Sequence, residues 1–585
     1  MQNFRIYLAF IIAAFCHPLF AQEYPVSIIL PEASKDLVEE TLIPNKKNKS
    51  NQDLLQPIID DLINKNYLAA SIDSIVSDTI TKVYKAYLFT GRQYDFKAIT
   101  FDSLSEDFMN RLKIKKPTST QEFILMREVI GDYYAENGYP FSKLRIDDLS
   151  LDNGDIEGQL KINTGPQIII DSIEINGDVK IREGYIENYL DIFKGELYDA
   201  KKVKRIKSKM DKLTFLEQEQ DPDLNFFGNY STVNLYLKKK NSSRFDLLFG
   251  VIPTDNIENR SLFLSLDFTA EMLNRLGFGE YIYIDFERLR PEQQRFQVKF
   301  NYPYILDTPF AIDANFNIFR LGLNYQTLIT DLGVQYLLNS TDHIKLAWNF
   351  ESSNLIEINE EAILASGMLP GELDVSQSGI ALSLHVDKLD YRFNPREGYS
   401  IDMKIVGGER KVKRNSAILA LSELSDSVDF SALYDEIPNK PRFEFETAIS
   451  FFQPLSVRGA LGFHLKGGYR YTSVGLLINE KFQIGGNKLL RGFDEASIFT
   501  SYYGLITAEY RLLLSNNSYF SFPFVDAGYV EDVDGNNSFV AGLGGGLGFE
   551  NKVGLFNFSV AVGKDNQSSF DFGKPKAHFG FVSLF

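Results

Sequence analysis

The sequence predicts a string of small α+β units followed by an all-β transmembrane barrel of sixteen antiparallel strands. Three observations carry this. From Arg244 onward, apolar and polar residues alternate with period two through sixteen separate runs. Before that point, a helix–strand–strand order recurs three times. Past residue 21 no run reaches the ~18 apolar residues of a membrane-spanning helix, yet 14% of the chain is aromatic, with 48 Phe and 30 Tyr against a single Trp. That load is heavy for a soluble enzyme and ordinary for a barrel with aromatic girdles. The formal net charge of -17 argues against a nucleic-acid partner, whose phosphates call for basic surfaces.

Residues 1–21 read as a secretory signal peptide. Arg5 supplies the positive end, 7–16 the apolar core, and Ala21 a cleavage position before Gln22. Cys16, the only cysteine, falls in this segment, so neither disulfides nor thiol chemistry is expected in the mature chain.

Three helical stretches mark the first part: 51–65, 120–136 and 199–213. In the first, Leu54, Leu55, Ile58, Ile59 and Leu62 share one face at i, i+3/i+4 spacing. Each helix precedes a strand-like run (64–75, 136–146 and, more weakly, 213–220) and then an alternating strand (82–90, 156–164 and 231–239). Strands at 96–101 and 168–177 open the second and third units. A period of about 70–75 residues predicts tandem modules with boundaries at 22–92, 93–166 and 167–240; the plainer alternative is one irregular α+β domain. Such modules expose sheet edges, which can accept an extended guest strand.

The barrel is expected over 241–585. In RFQVKFNY (295–302), Phe296, Val298, Phe300 and Tyr302 oppose Arg295, Gln297, Lys299 and Asn301. RFEFETAISF (442–451) alternates likewise, with Phe443, Phe445, Ile449 and Phe451 opposite Arg442, Glu444, Glu446 and Ser450. A soluble sandwich would alternate too, so length and number decide. Most runs have the ~9–11 residues a tilted strand needs to cross a bilayer, and their number is even. Connections after even strands are mostly short (339–342, 453–459, 515–517, 551–554). Several after odd strands are long (352–375, 408–440, 472–502). That is the asymmetry of periplasmic turns and external loops. The last strand is expected to close on the first.

Inside the third long connection lies FQIGGNKLLRGFDEA (482–496), with Gly485, Gly486, Arg491, Gly492 and Phe493. Alone, it reads as a surface loop with a stray arginine. In a barrel, an arginine among apolar and glycine neighbours calls for a carboxylate partner, because burying it unpaired is expensive. Together with YRFNPREGY (391–399), FVDAGYV (524–530) and the terminal KAHFGFVSLF, this stretch resembles the motifs of the BamA/TamA superfamily of outer-membrane assembly factors, and the resemblance covers nearly the whole mature chain. It implies that the N-terminal repeats are POTRA modules, three as in TamA rather than the usual five of BamA. It further implies that 482–493 is the family's loop-six motif, that Arg491 pairs in the lumen with Asp526 and with Glu509 as second carboxylate, that Asn394, Pro395 and Gly398 form a periplasmic-turn signature, and that Phe579, Phe581 and Phe585 form a C-terminal sorting signal. In GLGGGLG, Gly542, Gly544, Gly546 and Gly548 are expected on the lumen face, leaving room for the loop.

Catalytic signatures do not compete. GLGGGLG has the wrong spacing for a nucleotide loop and no helix after it. The four histidines beyond the leader, His343, His385, His464 and His578, are scattered without ligand spacing. No cofactor is expected and no enzyme activity. The resemblance implies a protein of the bacterial outer membrane, with its modules in the periplasm, that folds and inserts β-barrel proteins. Its partners would be unfolded outer-membrane proteins, outer-membrane lipids and periplasmic or lipoprotein accessory factors. The alternative is a polypeptide secretion pore of two-partner type; a plain channel needs neither the repeats nor Arg491.

Overall fold

The computed structural model describes residues 25–30 and 51–583, apart from 79, 82, 102–104, 152–153, 241–242, 254–261, 291–292, 340, 391–394, 425–427, 487–488, 495, 516–517, 532–534, 551–553 and 567. The leader at 1–21, Asn394 and Phe585 lie outside them. The chain forms two compact units, one of Met1–Asp171, Gly195–Lys204 and Asn225–Thr232, the other of Ser172–Lys194, Arg205–Leu224 and Val233–Phe585.

Three small sheets precede the barrel, and each repeats one topology. The first comprises β1 (Val26–Ile29), β2 (Ser71–Asp78) and β3 (Val83–Phe89), in the order β1-β3-β2. Helix α1 (Asn51–Asn64) lays Leu55 and Ile59 on it, in a core with Val26, Ile28, Ala86 and Leu88. The second has β4 (Asp95–Thr100), α2 (Glu106–Arg111), α3 (Thr120–Glu136), β5 (Lys143–Ser150) and β6 (Asp155–Asn163), in the order β4-β6-β5. Met126 and Ile130 of α3 pack with Ile99 and Leu160. The third has β7 (Ile169–Gly177), α4 (Glu183–Leu190), α5 (Ala200–Lys204), α6 (Ile206–Met210), β8 (Leu216–Phe227) and β9 (Tyr230–Lys239), in the order β7-β9-β8.

Two details differ from the sequence reading. The first module also opens with a strand, β1, which pairs in parallel with β3; four residues show too little alternation to be read locally. And the single helix expected over 199–213 is two short helices, α5 and α6.

The first two modules are stitched at Asn66, which is 7% exposed and sits at φ 71° just past α1. Its side-chain oxygen accepts from the Thr120 backbone N–H at 2.7 Å and the Thr120 hydroxyl at 3.0 Å, at the start of α3. Its carbonyl accepts from the Tyr94 N–H at 3.0 Å.

The large sheet has sixteen strands, in sequence order and antiparallel throughout. They are β10 (Arg244–Pro253), β11 (Leu262–Leu273), β12 (Tyr281–Arg290), β13 (Gln293–Tyr302), β14 (Phe310–Leu321), β15 (Tyr325–Leu337), β16 (His343–Leu355), β17 (Val375–Asp387), β18 (Gly398–Val412), β19 (Arg442–Pro454), β20 (Gly459–Tyr471), β23 (Tyr502–Ser515), β24 (Ser518–Glu531), β25 (Asn537–Glu550), β26 (Gly554–Lys564) and β27 (Lys576–Ser583). Two short strands, β21 (Phe482–Ile484) and β22 (Ile498–Thr500), pair apart from them.

Burial inverts the soluble rule. On β16, Ile344, Leu346 and Trp348 are exposed, while Ala347, Asn349 and Glu351 are buried. Apolar side chains outside and polar ones inside are what a lipid-facing barrel requires. The backbones of β10 and β27 come within 8 Å of each other. Among the described residues, ladders join every consecutive pair in the sheet, and none joins β10 to β27.

Candidate functional site

The connection between β20 and β23 folds inward. Phe482, Ile484 and Leu490 form an apolar cluster with Leu505 of β23, Val530 of β24 and Val540 of β25. Two glycines make its turns feasible. Gly485 has φ 117°, and a Cβ there would stand 2.3 Å from the Asp494 carbonyl oxygen. Gly492 has φ 93°, and its Cβ would stand 2.7 Å from the Gly563 nitrogen.

Between these glycines the chain delivers Arg491 to the wall. Arg491 donates from Nε to Asp526 Oδ2 at 2.9 Å and from Nη2 to Asp526 Oδ1 at 2.7 Å. Its backbone N–H reaches the same carboxylate at 3.0 Å, as does the Thr507 hydroxyl at 2.8 Å. Nη1 lies 3.4 Å from Glu509 Oε2. The guanidinium carbon sits 3.5 Å from the centroid of the buried Phe524 ring. The planar fork is matched by a bidentate acceptor and an aromatic face, an arrangement lysine could not reproduce. Glu509 also accepts from Arg511 Nε at 2.6 Å and lies 3.5 Å from His464 Nε2. Two arginines and two carboxylates therefore balance inside a buried cluster.

The strand glycines divide in their roles. A Cβ on Gly542 would meet the Arg491 carbonyl oxygen at 2.0 Å, so this glycine makes room for the loop; one on Gly544 would meet the Val560 carbonyl oxygen of β26 at 2.1 Å and the Phe524 ring at 2.7 Å. Gly546 likewise faces β26, where its Cβ would stand 3.1 Å from the Phe558 carbonyl oxygen. Gly563 on β26, absent from the sequence reading, closes the same contact: its Cβ would stand 2.5 Å from the Gly492 oxygen.

A second anchor was not read from the sequence. Glu480, near the start of the connection, is 0% exposed. It accepts from Arg410 of β18 in bidentate fashion, Nε at 2.8 Å and Nη2 at 2.7 Å, and from Arg442 of β19 at 3.3 Å. Arg442 in turn reaches Glu351 of β16 at 2.5 Å. Arg470 of β20 donates to the Glu480 carbonyl at 2.8 Å and to Glu444 at 2.6 Å. Above these charges the long connections build their own apolar cluster. It joins Ile363 of α7 (Glu360–Ser366), Ile418 of α8 (Ser416–Ala420), Phe430 and Tyr434 of α9 (Phe430–Asp435), Leu373 and Leu421, with Leu477 packed against them.

At the opposite end, Pro395 is buried, and Gly398 holds φ 102° with its Cβ position 2.1 Å from the Lys388 oxygen. Arg396 donates to the Val457 carbonyl at 2.7 Å, tying this turn to the next. At this end α4 meets the turn after β13. Arg182 lies 3.2 Å from the Tyr302 hydroxyl, and the Tyr185 and Tyr304 rings meet edge to face at 5.2 Å. Phe579 and Phe581 lie on β27. Among the described residues no cluster of metal-binding side chains occurs.

Residues 274–576 match the Omp85 superfamily domain. Among solved structures, CdiB from Escherichia coli is 12% identical, with a TM-score of 0.53 over 91% of this chain and 98% of that one. CdiB from Acinetobacter baumannii is 14% identical, with a TM-score of 0.50 over 84% and 90%. BamA from Haemophilus ducreyi lacking POTRA domains 1–3 is 15% identical, with a TM-score of 0.49 over 84% and 100%. At these identities the two CdiB likenesses speak to the fold alone. No curated protein matches the sequence.

Proposed function

This chain belongs to the Omp85 superfamily of bacterial outer-membrane barrels, and on that premise we propose that it folds and inserts other β-barrel proteins. Members of the superfamily handle polypeptides and are not enzymes. The POTRA edges would hold an unfolded client by strand addition. The client's first strand would then pair at the seam between β10 and β27, and burial of its lipid face with completion of its ladders would supply the free energy.

The observation that carries this reading is the β10–β27 boundary, which has no ladder among the described residues, beside a connection fixed to the barrel wall. The inner connection packs on β23–β25 through Leu490 and Arg491, and Glu480 fixes its start to the neighbouring strands β18–β20 beside the apolar cluster of the long connections. A route through the lumen would have to pass this connection, whereas a route at the β10–β27 seam would not. In this reading Arg491, Asp526 and Glu509 fix the loop as part of the wall, Asn394, Pro395 and Gly398 shape a periplasmic turn, and Phe579, Phe581 and Phe585 serve the protein's own insertion.

Depletion followed by quantification of the outer-membrane proteome tests it. Broad loss of barrel proteins is the expected result. One exported protein stranded in the periplasm, with barrels unchanged, would instead support the secretion pore.

A further inference from the structure

From the second anchor we infer that Glu480 is a positioning residue that clamps the outer mouth of the barrel shut, independently of Arg491 and of which polypeptides the barrel handles. Glu480 belongs to the inner connection, whereas its partners belong to three separate strands: Arg410 on β18, Arg442 on β19 and, through its carbonyl, Arg470 on β20. One residue thus ties the loop to three neighbouring strands of the wall. Arg410 and Arg442 are each 1% exposed. Among the described residues, Arg410 Nη1 and Arg442 Nε find no acceptor, and Glu480 is the carboxylate that holds Arg410. A buried arginine stripped of its carboxylate must regain water or another anion, and lifting of the cap would admit water to it.

The cap is built to move with Glu480. Leu477, three residues earlier, packs in the apolar cap, and its N–H donates to Glu480 Oε2 at 3.0 Å. The Ile478 N–H donates to the Gly371 carbonyl at 3.0 Å in the neighbouring connection. Asn479 bonds the Ser353 hydroxyl at 2.8 Å and the Leu373 carbonyl at 2.9 Å. Four consecutive residues join the charged layer to the cap above it. The carboxylate charge is thus converted into closure of the outer mouth.

Conductance of the full-length protein in planar bilayers tests this. Glu480→Gln keeps the shape and removes the charge. It is expected to turn a closed baseline into sustained openings while the heat-modifiable electrophoretic shift of the folded barrel persists. Arg410→Gln should do the same, and the double variant should conduct no more than either single one, since both break one interaction. Lys413→Ala removes a cap cation held to the Ser352 hydroxyl at 3.1 Å and should stay closed. A disulfide between Gly371→Cys and Ile478→Cys should restore closure to Glu480→Gln. If Glu480→Gln does not assemble, Glu480→Asp, which retains the charge on a shorter arm, reports in its place and should open partially. Wild-type conductance in a folded Glu480 variant would overturn the inference, as would openings equal to those of Lys413→Ala.

Discussion

Truncating Asp526 to alanine should release the inner connection from the wall. In the native protein this carboxylate takes three donors from Arg491 and one from Thr507. After truncation, Arg491 and Arg511 share Glu509 alone, and the Arg491 contact to it is long at 3.4 Å. Removing one partner of a buried charge pair costs roughly 3–5 kcal/mol. The Phe524 face and Glu509 still hold part of the guanidinium, so the low end, about 3 kcal/mol, applies. At 1.4 kcal/mol per factor of ten, the released state becomes about a hundredfold more populated. Leu490 offers a reporter, because it is 0% exposed beside Arg491 and the chain's only cysteine is Cys16. With Leu490→Cys in both backgrounds, the rate of maleimide modification follows the released population when opening and closing are fast. The rate should rise about a hundredfold on adding Asp526→Ala, and Asp526→Asn, which retains one oxygen acceptor, should fall between. Equal rates in all three would refute the idea that the Arg491–Asp526 pair holds the loop.

Three further outcomes follow from the same geometry. Gly542→Ala places a methyl 2.0 Å from the Arg491 oxygen, whereas a methyl on Gly504 meets nothing within 4 Å; Leu490→Cys labelling should accelerate in the first and stay at the native rate in Gly504→Ala. Asn66→Ala removes two hydrogen bonds to Thr120 and leaves a buried backbone donor unsatisfied, a loss of about 1–3 kcal/mol, which limited proteolysis should reveal as faster cleavage between the first two modules. Asp342 lies in the turn before β16. Burial alone would raise its pKa, but the Lys388 ammonium and donors from Asn339, the Asp387 N–H and Thr341 outweigh it and hold the group at about 2. A carboxyl depressed on folding contributes stability that is fully present above its unfolded value of ~3.9 and is lost as pH falls toward about 2. Acid titration of barrel melting should therefore decline below about pH 4 in the native protein and less steeply in Asp342→Asn.

The barrel was legible because lipid imposes a rule that each strand obeys alone. RFQVKFNY and RFEFETAISF announce an apolar and a polar face without reference to their neighbours, and every one of the sixteen runs corresponds to a strand of the sheet. The opening strand of the first module was not legible, since VSII is held by a parallel partner more than fifty residues away and carries almost no pattern of its own. The break between α5 and α6 has no local signal either, because Lys and Arg on both sides are good helix formers. The two anchors differ in the same way. Arg491 stood out through its glycine-flanked setting and its motif resemblance, which also pointed to Asp526. Glu480 sits in an ordinary INEK run, 70 residues from Arg410 and 38 from Arg442. The alternation of β19 places Arg442 on the lumen face but does not say what it meets there. That pairing arises only when three strands and a loop converge.

The most direct test of the central claim is reconstitution of the purified protein in lipid vesicles, offered a urea-unfolded outer-membrane barrel in one reaction and an exported polypeptide in another. The barrel client should acquire its heat-modifiable folded form in the membrane faster than in empty vesicles, while the exported polypeptide should remain accessible to protease outside. Protease protection of the exported polypeptide inside the vesicles, with no acceleration of barrel folding, would contradict the claim and make the lumen rather than the β10–β27 seam the working route.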